Sequence, residues 1–259
     1  INGQSTLILN EAHDYAQIFI NGNLIGKIDR SNGEKQLLLP SIKEGSRLTI
    51  LIEAMGRINF GQAIKDYKGI TNDVLLKYQR NENEYDVNLK NWNITCIPDD
   101  YQTAINALNN KSKSSTLNTK AGYYRGYFNI KKIGDTFLNF EEFGKGQVYV
   151  NGHTLGRIWS VGPQQTLFIP GCWLKKGRNE VVILDITGPK NTVCEGFNKP
   201  ELNKLNLDRP ITHNDVNNKP NLSTLKPATT GTFVPGNGWQ NIQFSNPVTG
   251  RFLCIQALN

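Results

Sequence analysis

Residues 146–160 read GQVYVNGHTLGRIWS and have the pattern of two short strands joined by Asn151-Gly152. The apolar positions carry β-branched and aromatic residues, which favour strands. Asn-Gly is favoured between such strands because both central positions of a type I′ turn need positive φ. Residues 16–30, AQIFINGNLIGKIDR, align with this stretch without a gap at an offset of 130. The sequence therefore predicts one β-hairpin motif that occurs twice.

The repeat continues beyond this hairpin. Residues 37–40, LLLP, match residues 167–170, LFIP, at the same offset, and a two-residue insertion then aligns 45–53 with 177–185. Each copy ends in an apolar run with little alternation, which is typical of a strand deep inside a sandwich. We therefore predict an all-β protein that consists of two related β-sandwiches.

Changes in composition predict the domain boundaries. One stretch, NNKSKSS, is polar and of low complexity, and the region after Gly188-Pro189 is rich in Pro and Asn. We predict a first sandwich at 1–108, a polar connector at 109–120, a second sandwich at 121–189, a linker at 190–228 and a short β segment at 229–259. From Asp99 to about Leu108, acidic residues precede spaced apolar residues, so that helix and loop are both open for this stretch.

The chain of 259 residues has a formal net charge of +7, but the surplus is local. Residues 109–134 hold six basic and no acidic side chains, whereas a nucleic-acid binder should concentrate cations on the element that docks. No nucleic-acid partner is therefore expected. The sequence has no run of about 18 apolar residues, so no transmembrane helix is expected either.

Cysteine spacing gives no sign of a metal or redox site. The four cysteines form no CxxC pair, so a zinc ribbon and thioredoxin-like chemistry are unsupported: Cys96, Cys172, Cys194 and Cys254. Three disulfide pairings are open to them, and free, partly buried thiols are the simpler interpretation at this low density. We expect no metal and no cofactor.

A catalytic interpretation would need a nucleophile or an acid–base pair in one cleft. Glu141 and Glu142 are adjacent, so on a strand they point to opposite faces, and an exposed strand end is the simpler interpretation. The histidines are far apart in sequence, and we expect each to be exposed beside a turn without a carboxylate partner: His13, His153 and His213. We therefore predict that this chain contains no catalytic residue.

Tryptophans near turns are candidate ligand contacts. The C–H face of a pyranose matches the π surface of an aromatic ring, so Trp159 and Trp239 are candidates for carbohydrate stacking. The structural alternative is that each ring closes the open end of its sandwich. Both interpretations also apply to Trp173, and the sequence leaves them open.

Five segments carry a resemblance to a known family. EAHDYAQIFING (11–22), EAMGRINFG (53–61) and DYKGI (66–70) resemble the first accessory β-domain of glycoside hydrolase family 35 β-galactosidases. GKGQVYVNGHTLGRIW (144–159) and GPQQTLFIP (162–170) resemble the second, jelly-roll accessory domain of that family. The resemblance implies two galactose-binding-like jelly-roll sandwiches joined by a polar loop.

The resemblance covers about residues 5–190 and implies a role without catalysis. The family's two catalytic glutamates lie in an N-terminal (β/α)8 barrel of about 250 residues, which has no counterpart in this sequence. We expect that barrel as the partner, galactosides as possible ligands, and a first sandwich that lacks its opening strands. The family suggests a secreted or periplasmic setting. Residues 224–259 resemble the opening of a discoidin-like module.

Two alternatives to an accessory region stay open. One is a free-standing galactose-binding-like module that binds carbohydrate by itself. The other is a structural sandwich without a ligand. A barrel encoded together with this chain would favour the accessory role over both.

One loop of the family bears on function. Its motif, Met-Gly-Arg-x-Asn-aromatic-Gly, reaches from the accessory domain into the galactose pocket of the barrel. Here the aromatic position is Phe60, which has no hydroxyl, and Arg57 and Asn59 stand beside it, so the resemblance implies that all three line the substrate pocket. For Arg57 and Asn59, the alternative is to hold the loop by hydrogen bonds at the domain–barrel interface. Because Gly56 and Gly61 bracket the loop, we predict an outward excursion with Phe60 partly exposed.

Overall fold

The computed structural model describes residues 5–62, 64–110 and 120–207. The chain divides into two compact units, Ile1–Cys96 and Ile97–Asn259. The short β segment predicted at 229–259, most of the predicted linker and the discoidin-like stretch lie outside the described residues.

The first unit is a sandwich of antiparallel strands. Its described strands are β1 (Ser5–Leu9), β2 (Ala12–His13), β3 (Tyr15–Ile20), β4 (Asn23–Asp29), β5 (Gln36–Leu39), β6 (Leu48–Glu53), β7 (Gly69–Ile70), β8 (Val74–Arg80) and β9 (Asn83–Asn88). One sheet has the order β5-β1-β8-β9, another has the order β4-β3-β6, and β2 pairs with β7. Alternate residues of β1 are buried, so Leu7 and Leu9 share one core with Ile18 and Ile28 of the other sheet.

The second unit repeats this architecture. Its described elements are α1 (Tyr101–Asn110), β10 (Gly122–Ile130), β11 (Thr136–Asn139), β12 (Lys145–Val150), β13 (His153–Trp159), β14 (Thr166–Ile169), β15 (Gly177–Asp185) and β16 (Glu195–Phe197). The sheets have the orders β10-β15-β12-β13 and β14-β11-β16. Val148 and Val150 of the first sheet share a core with Leu138 and Ile169 of the second. The all-β prediction is confirmed.

The stretch that could be helix or loop is a helix. The carboxylate of Asp100 accepts hydrogen bonds from the backbone N–H and the hydroxyl of Thr103, both at 2.8 Å, and so caps the helix that begins at Tyr101. A small core joins α1 to the outer face of the larger sheet: Ala104, Tyr149 and Val182. Because of this packing, the helix belongs to the second unit, whereas the sequence placed the end of the first domain at 108.

The two predicted hairpins have the same backbone. Their central turn residues all have positive φ: 51° at Asn21, 82° at Gly22, 49° at Asn151 and 87° at Gly152. This is the geometry that a type I′ turn requires. Each hairpin also has a register shift at the equivalent place, after Ile18 in β3 and after Val148 in β12. The prediction of one hairpin that occurs twice is confirmed.

The predicted alignment of the last repeated strand is wrong by one residue. Ile18 lies opposite Ile50 of β6, and its counterpart Val148 lies opposite Ile183 of β15. Since these partners are 133 residues apart, the second copy has a three-residue insertion instead of the predicted two. The longer turn is held by Asn179, which is buried and whose amide bonds to the backbone of that turn.

Candidate functional site

The loop between β6 and β7, residues 54–68, exposes three large apolar side chains. In this 54–68 loop, Phe60 exposes 89% of its surface, Tyr67 73% and Ile64 57%. Burying one such side chain is worth about 2 kcal/mol. A single exposed apolar residue is ordinary, but three in one loop mark a surface that another body can cover.

The loop presents the residues that the sequence singled out. Arg57 and Asn59 are exposed together with Phe60, and Gly61 has a φ of 94°, which an L side chain rarely adopts. The prediction of an outward loop is confirmed, and Phe60 is more exposed than the partial exposure predicted. The role of these three residues in a substrate pocket stays a prediction.

Asp66 and Lys68 of this loop and Asp14 and Arg30 of neighbouring segments form what we call the four-charge cluster. Nη1 of Arg30 donates to Oδ1 of Asp14 at 2.7 Å and to Oδ1 of Asp66 at 2.9 Å. Nζ of Lys68 donates to the other oxygen of each carboxylate, at 2.7 Å and 2.6 Å. Each cation therefore bridges both carboxylates, which are almost fully buried.

The cluster keeps its charges over a wide pH range. Hydrogen bonds from Lys68 and then Arg30 lower the pKa of Asp66 to about 2. Burial acts to raise the pKa of Asp14, but hydrogen bonds from Lys68, Arg30 and the Met55 N–H outweigh it and lower that pKa. Burial likewise acts to lower the pKa of Lys68, and the two carboxylates outweigh it and raise that pKa.

The cluster bonds directly to the backbone of the loop. The Met55 N–H donates to Oδ2 of Asp14 at 2.8 Å, and Nζ of Lys68 donates to the carbonyl oxygen of Gly56 at 3.1 Å. At the far end, the carbonyl of Tyr67 accepts a hydrogen bond of 2.5 Å from Nδ1 of His13. Both ends of the loop are thus fixed, while its middle is exposed.

The expectation that His13 is exposed and lacks a carboxylate partner is wrong. Its side chain is 12% exposed, its Nε2 lies 2.8 Å from Oε2 of Glu11, and its Nδ1 lies 3.4 Å from Oδ1 of Asp66. The spacing of Glu11 and His13, with one residue between them, is the signal that the sequence offered. His13 lies on β2, and Glu11 lies in the turn that directly precedes this strand.

The tryptophan candidates have different surroundings. Nζ of Lys145 lies 4.1 Å from the ring centroid of the half-buried Trp159, so one ring face carries a cation. Trp173 stacks on His153 with a centroid distance of 4.6 Å. Carbohydrate stacking on Trp159 stays a prediction, and Trp239 lies outside the described residues.

The remaining candidates from the sequence are the adjacent glutamates and the cysteines. Glu141 and Glu142 lie in a turn, and not at the end of a strand, with Nζ of Lys204 at 2.5 Å from Oε1 of Glu141. In the part of the chain that the structure describes, Cys96, Cys172 and Cys194 are free thiols. Within the same part, no His, Cys, Asp and Glu residues group as metal ligands, and no helix has the length and apolar character of a membrane span.

Comparisons with known proteins converge on one family. The model of the β-galactosidase first all-beta domain matches residues 2–97, and the model of the β-galactosidase galactose-binding domain matches residues 121–179. Beta-galactosidase 1 of Dictyostelium discoideum is 34% identical over 198 residues, which cover 70% of this chain and 28% of that protein. Human Beta-galactosidase-1-like protein 2 is 34% identical over 188 residues, which cover 71% of this chain and 28% of that protein.

A bovine Beta-galactosidase is 31% identical over 229 residues, with 78% of this chain and 33% of that protein covered. The chain thus spans about 28% of the length of the first two curated relatives. Among solved structures, a lectin from Pleurotus ostreatus in complex with GalNAc aligns at 14% identity with a TM-score of 0.22, over 72% of this chain and 64% of that one. That likeness is too low to support an inference.

Proposed function

Because the chain belongs to the β-galactosidase family and carries its first all-β domain and its galactose-binding domain, we propose that it serves as a non-catalytic region of a longer β-galactosidase. In this role it buttresses the catalytic barrel and lines one side of the pocket for terminal β-galactosides. The observation that carries the proposal is the 54–68 loop, whose ends are fixed and whose apolar side chains face outward.

The loop offers the chemistry that one wall of a galactose pocket needs. The ring of Phe60 can pack on the C–H face of a pyranose, but it gives the sugar no hydrogen bond. The exposed Arg57 and Asn59 carry N–H groups that can donate to sugar hydroxyls or to the barrel. Tyr67 and Ile64 extend the apolar surface, and the barrel is the body that covers it.

The buried carboxylates Asp14 and Asp66 do not form the acid–base pair of a glycoside hydrolase. Glycoside hydrolysis uses two carboxyl groups about 5–10 Å apart, one of them protonated. The Asp14 and Asp66 pair is bridged by Arg30 and Lys68, and both pKa values lie below the ordinary range. Neither carboxyl can therefore supply a proton at neutral pH, and the pair serves structure.

The test is a substitution in the β-galactosidase that carries this region. Phe60→Ala should lower kcat/KM for an aryl β-galactoside by about tenfold, as expected when one aromatic contact is lost. The melting temperature of the 259-residue chain should stay within about 1 °C, because Phe60 is exposed. Leu38→Ala, at a residue that is 60% exposed on β5, is the matched control and should change neither quantity.

The result that would contradict the proposal is a large loss of melting temperature with unchanged kcat/KM, since Phe60 would then belong to the core.

The alternative of a free-standing carbohydrate-binding module is supported only by the match of the second unit of this chain to a galactose-binding domain. Calorimetry with galactose on the 259-residue chain separates the two. Binding that Trp159→Ala abolishes would favour the module, and the accessory role predicts none.

A further inference from the structure

The described residues of the 54–68 loop have no regular structure of their own to hold them. These residues, 54–62 and 64–68, contain neither strand nor helix. A segment of this length that lacks the backbone hydrogen bonds of a helix or sheet samples many conformations unless other groups fix it. Its shape must therefore depend on side-chain contacts at its ends.

Lys68 makes three of these contacts with one ammonium group. Its three N–H donors reach Oδ2 of Asp14 at 2.7 Å, Oδ2 of Asp66 at 2.6 Å and the Gly56 carbonyl at 3.1 Å. An ammonium has three donors, so its hydrogen-bonding capacity is fully used. The side chain is 10% exposed, so solvent weakens these bonds far less than it weakens a surface ion pair.

The same carboxylate oxygen links the two ends of the loop. Oδ2 of Asp14 accepts from Nζ of Lys68, at the end of the loop, and from the N–H of Met55, at its start. Arg30 completes the arrangement, because it neutralises the second carboxylate oxygen of Asp14 and of Asp66. Oδ2 of Asp14 thus accepts a hydrogen bond from each end of the loop, and the bond from Lys68 to the Gly56 carbonyl joins the two ends directly.

We infer that the four-charge cluster is a clamp that closes the 54–68 loop, and that Lys68 is the positioning residue that sets where Phe60 is presented. The clamp acts on the loop of the isolated chain, whatever the loop contacts. Its effect on turnover rests on the function proposed above. The two effects can be measured separately.

Hydrogen exchange of the 259-residue chain tests the clamp. Lys68→Met keeps the length of the side chain and removes its three donors, so a loop peptide that contains the amide of Met55, which Asp14 holds, should exchange at least about tenfold faster. The core strands β3 and β6 should keep their protection. Lys77→Met is the matched control, because Lys77 makes an exposed ion pair of 2.9 Å with Asp86 on β8 and β9, and it should leave loop exchange unchanged.

Two further variants keep the test decisive. If Lys68→Met also removes protection from β3 and β6, the milder Asp66→Asn replaces it, and faster loop exchange over an intact core supports the clamp. In the longer β-galactosidase, Lys68→Met should lower kcat/KM several-fold and Lys68→Arg, which keeps the charge, should restore part of it. Faster loop exchange with unchanged kcat/KM supports the clamp and contradicts the proposed function. Unchanged loop exchange in a folded Lys68→Met or Asp66→Asn chain overturns the clamp.

Discussion

Asn21 and Asn151 lie 130 residues apart and occupy the same position in two β-sandwiches. Each begins a hairpin turn with a φ near 50°, and each side-chain oxygen accepts a hydrogen bond from a backbone N–H, which lies just before β6 in the first sandwich and within β15 in the second. The donors are Arg47, at 2.8 Å, and Glu180, at 2.9 Å. The repeat therefore preserves a turn and also the bond that ties this turn to the next strand.

The two asparagines should differ in their contribution to stability. Asn151 also donates to the Trp173 carbonyl and to Oδ1 of Asn179, both at 2.8 Å, whereas Asn21 donates to Oγ of Ser46 at 3.3 Å and is exposed. Asn151→Ala should lower the free energy of unfolding of the second unit by about 2–4 kcal/mol, and Asn21→Ala that of the first by about 1–2 kcal/mol.

Urea denaturation, monitored by hydrogen exchange in each unit, measures the two losses of unfolding free energy and checks which is larger. Asn151→Gly is the control, because glycine keeps the positive φ and removes only the side-chain bonds. A greater loss for Asn21→Ala than for Asn151→Ala would contradict the larger contribution assigned to the bonds of Asn151.

The four-charge cluster should make the first unit sensitive to acid. Its hydrogen bonds lower the pKa of Asp66 from 3.8 to about 2, so the charged form stabilises the folded state. The contribution is complete above about pH 4 and is lost as the pH falls towards 2. In Asp66→Asn, this part of the pH dependence should be absent, so the stability difference between wild type and variant should shrink between pH 4 and pH 2.

Urea midpoints of the first unit, measured in that range and at pH 6, give this difference. Asp86→Asn, which removes an exposed partner of Lys77, is the control and should show no comparable change. A wild-type advantage that is the same at pH 6 and pH 2 would mean that Asp66 is not held in its charged form.

Tyr101 should make the stability of the second unit fall as the pH rises into the alkaline range. Its hydroxyl donates to Oε2 of Glu180, and this bond together with burial raises its pKa from 10.0 to about 12. A raised pKa in the folded state stabilises below pH 10, and the contribution is lost as the pH rises towards 12. Tyr101→Phe should therefore cost about 1 kcal/mol at pH 8 and progressively less above pH 10.

The comparison variant is Tyr127→Phe, since Tyr127 is exposed and lies under the Arg178 guanidinium at 3.6 Å from its ring centroid. Free energies of unfolding at pH 8, 10 and 11.5 should converge for Tyr101→Phe and wild type only. Parallel curves for these two would show that the bond to Glu180 does not bias the titration of Tyr101.

The hairpins and the outward loop could be predicted because each depends on residues that are close in sequence, whereas the sequence left helix and loop both open for residues 99–108. Asn-Gly specifies its own turn, and Gly61 permits the positive φ that it adopts. The one-residue error in the second sandwich arose because Asn179 holds a longer turn through bonds that no local pattern encodes.

The four-charge cluster could not be predicted from spacing, because Asp14 and Lys68 lie 54 residues apart. Their contact depends on how β2, β4 and β7 assemble, which is a tertiary property. A local signal existed only at Asp14, a carboxylate that directly precedes the mostly apolar stretch YAQIFI. A buried charge beside a core strand requires a partner, and searching the chain for that partner could have found Arg30 or Lys68.

The central claim, that the 54–68 loop is covered by the catalytic barrel of a longer β-galactosidase, is tested most directly by hydroxyl-radical labelling of Phe60 and Tyr67. Both rings are exposed in the 259-residue chain, at 89% and 73%, and should label rapidly there. In the longer protein, after normalisation to a dosimeter present in both samples, we expect both rates to fall at least about fivefold, since a buried ring is shielded from solvent. Equal labelling rates in the two proteins would contradict the account.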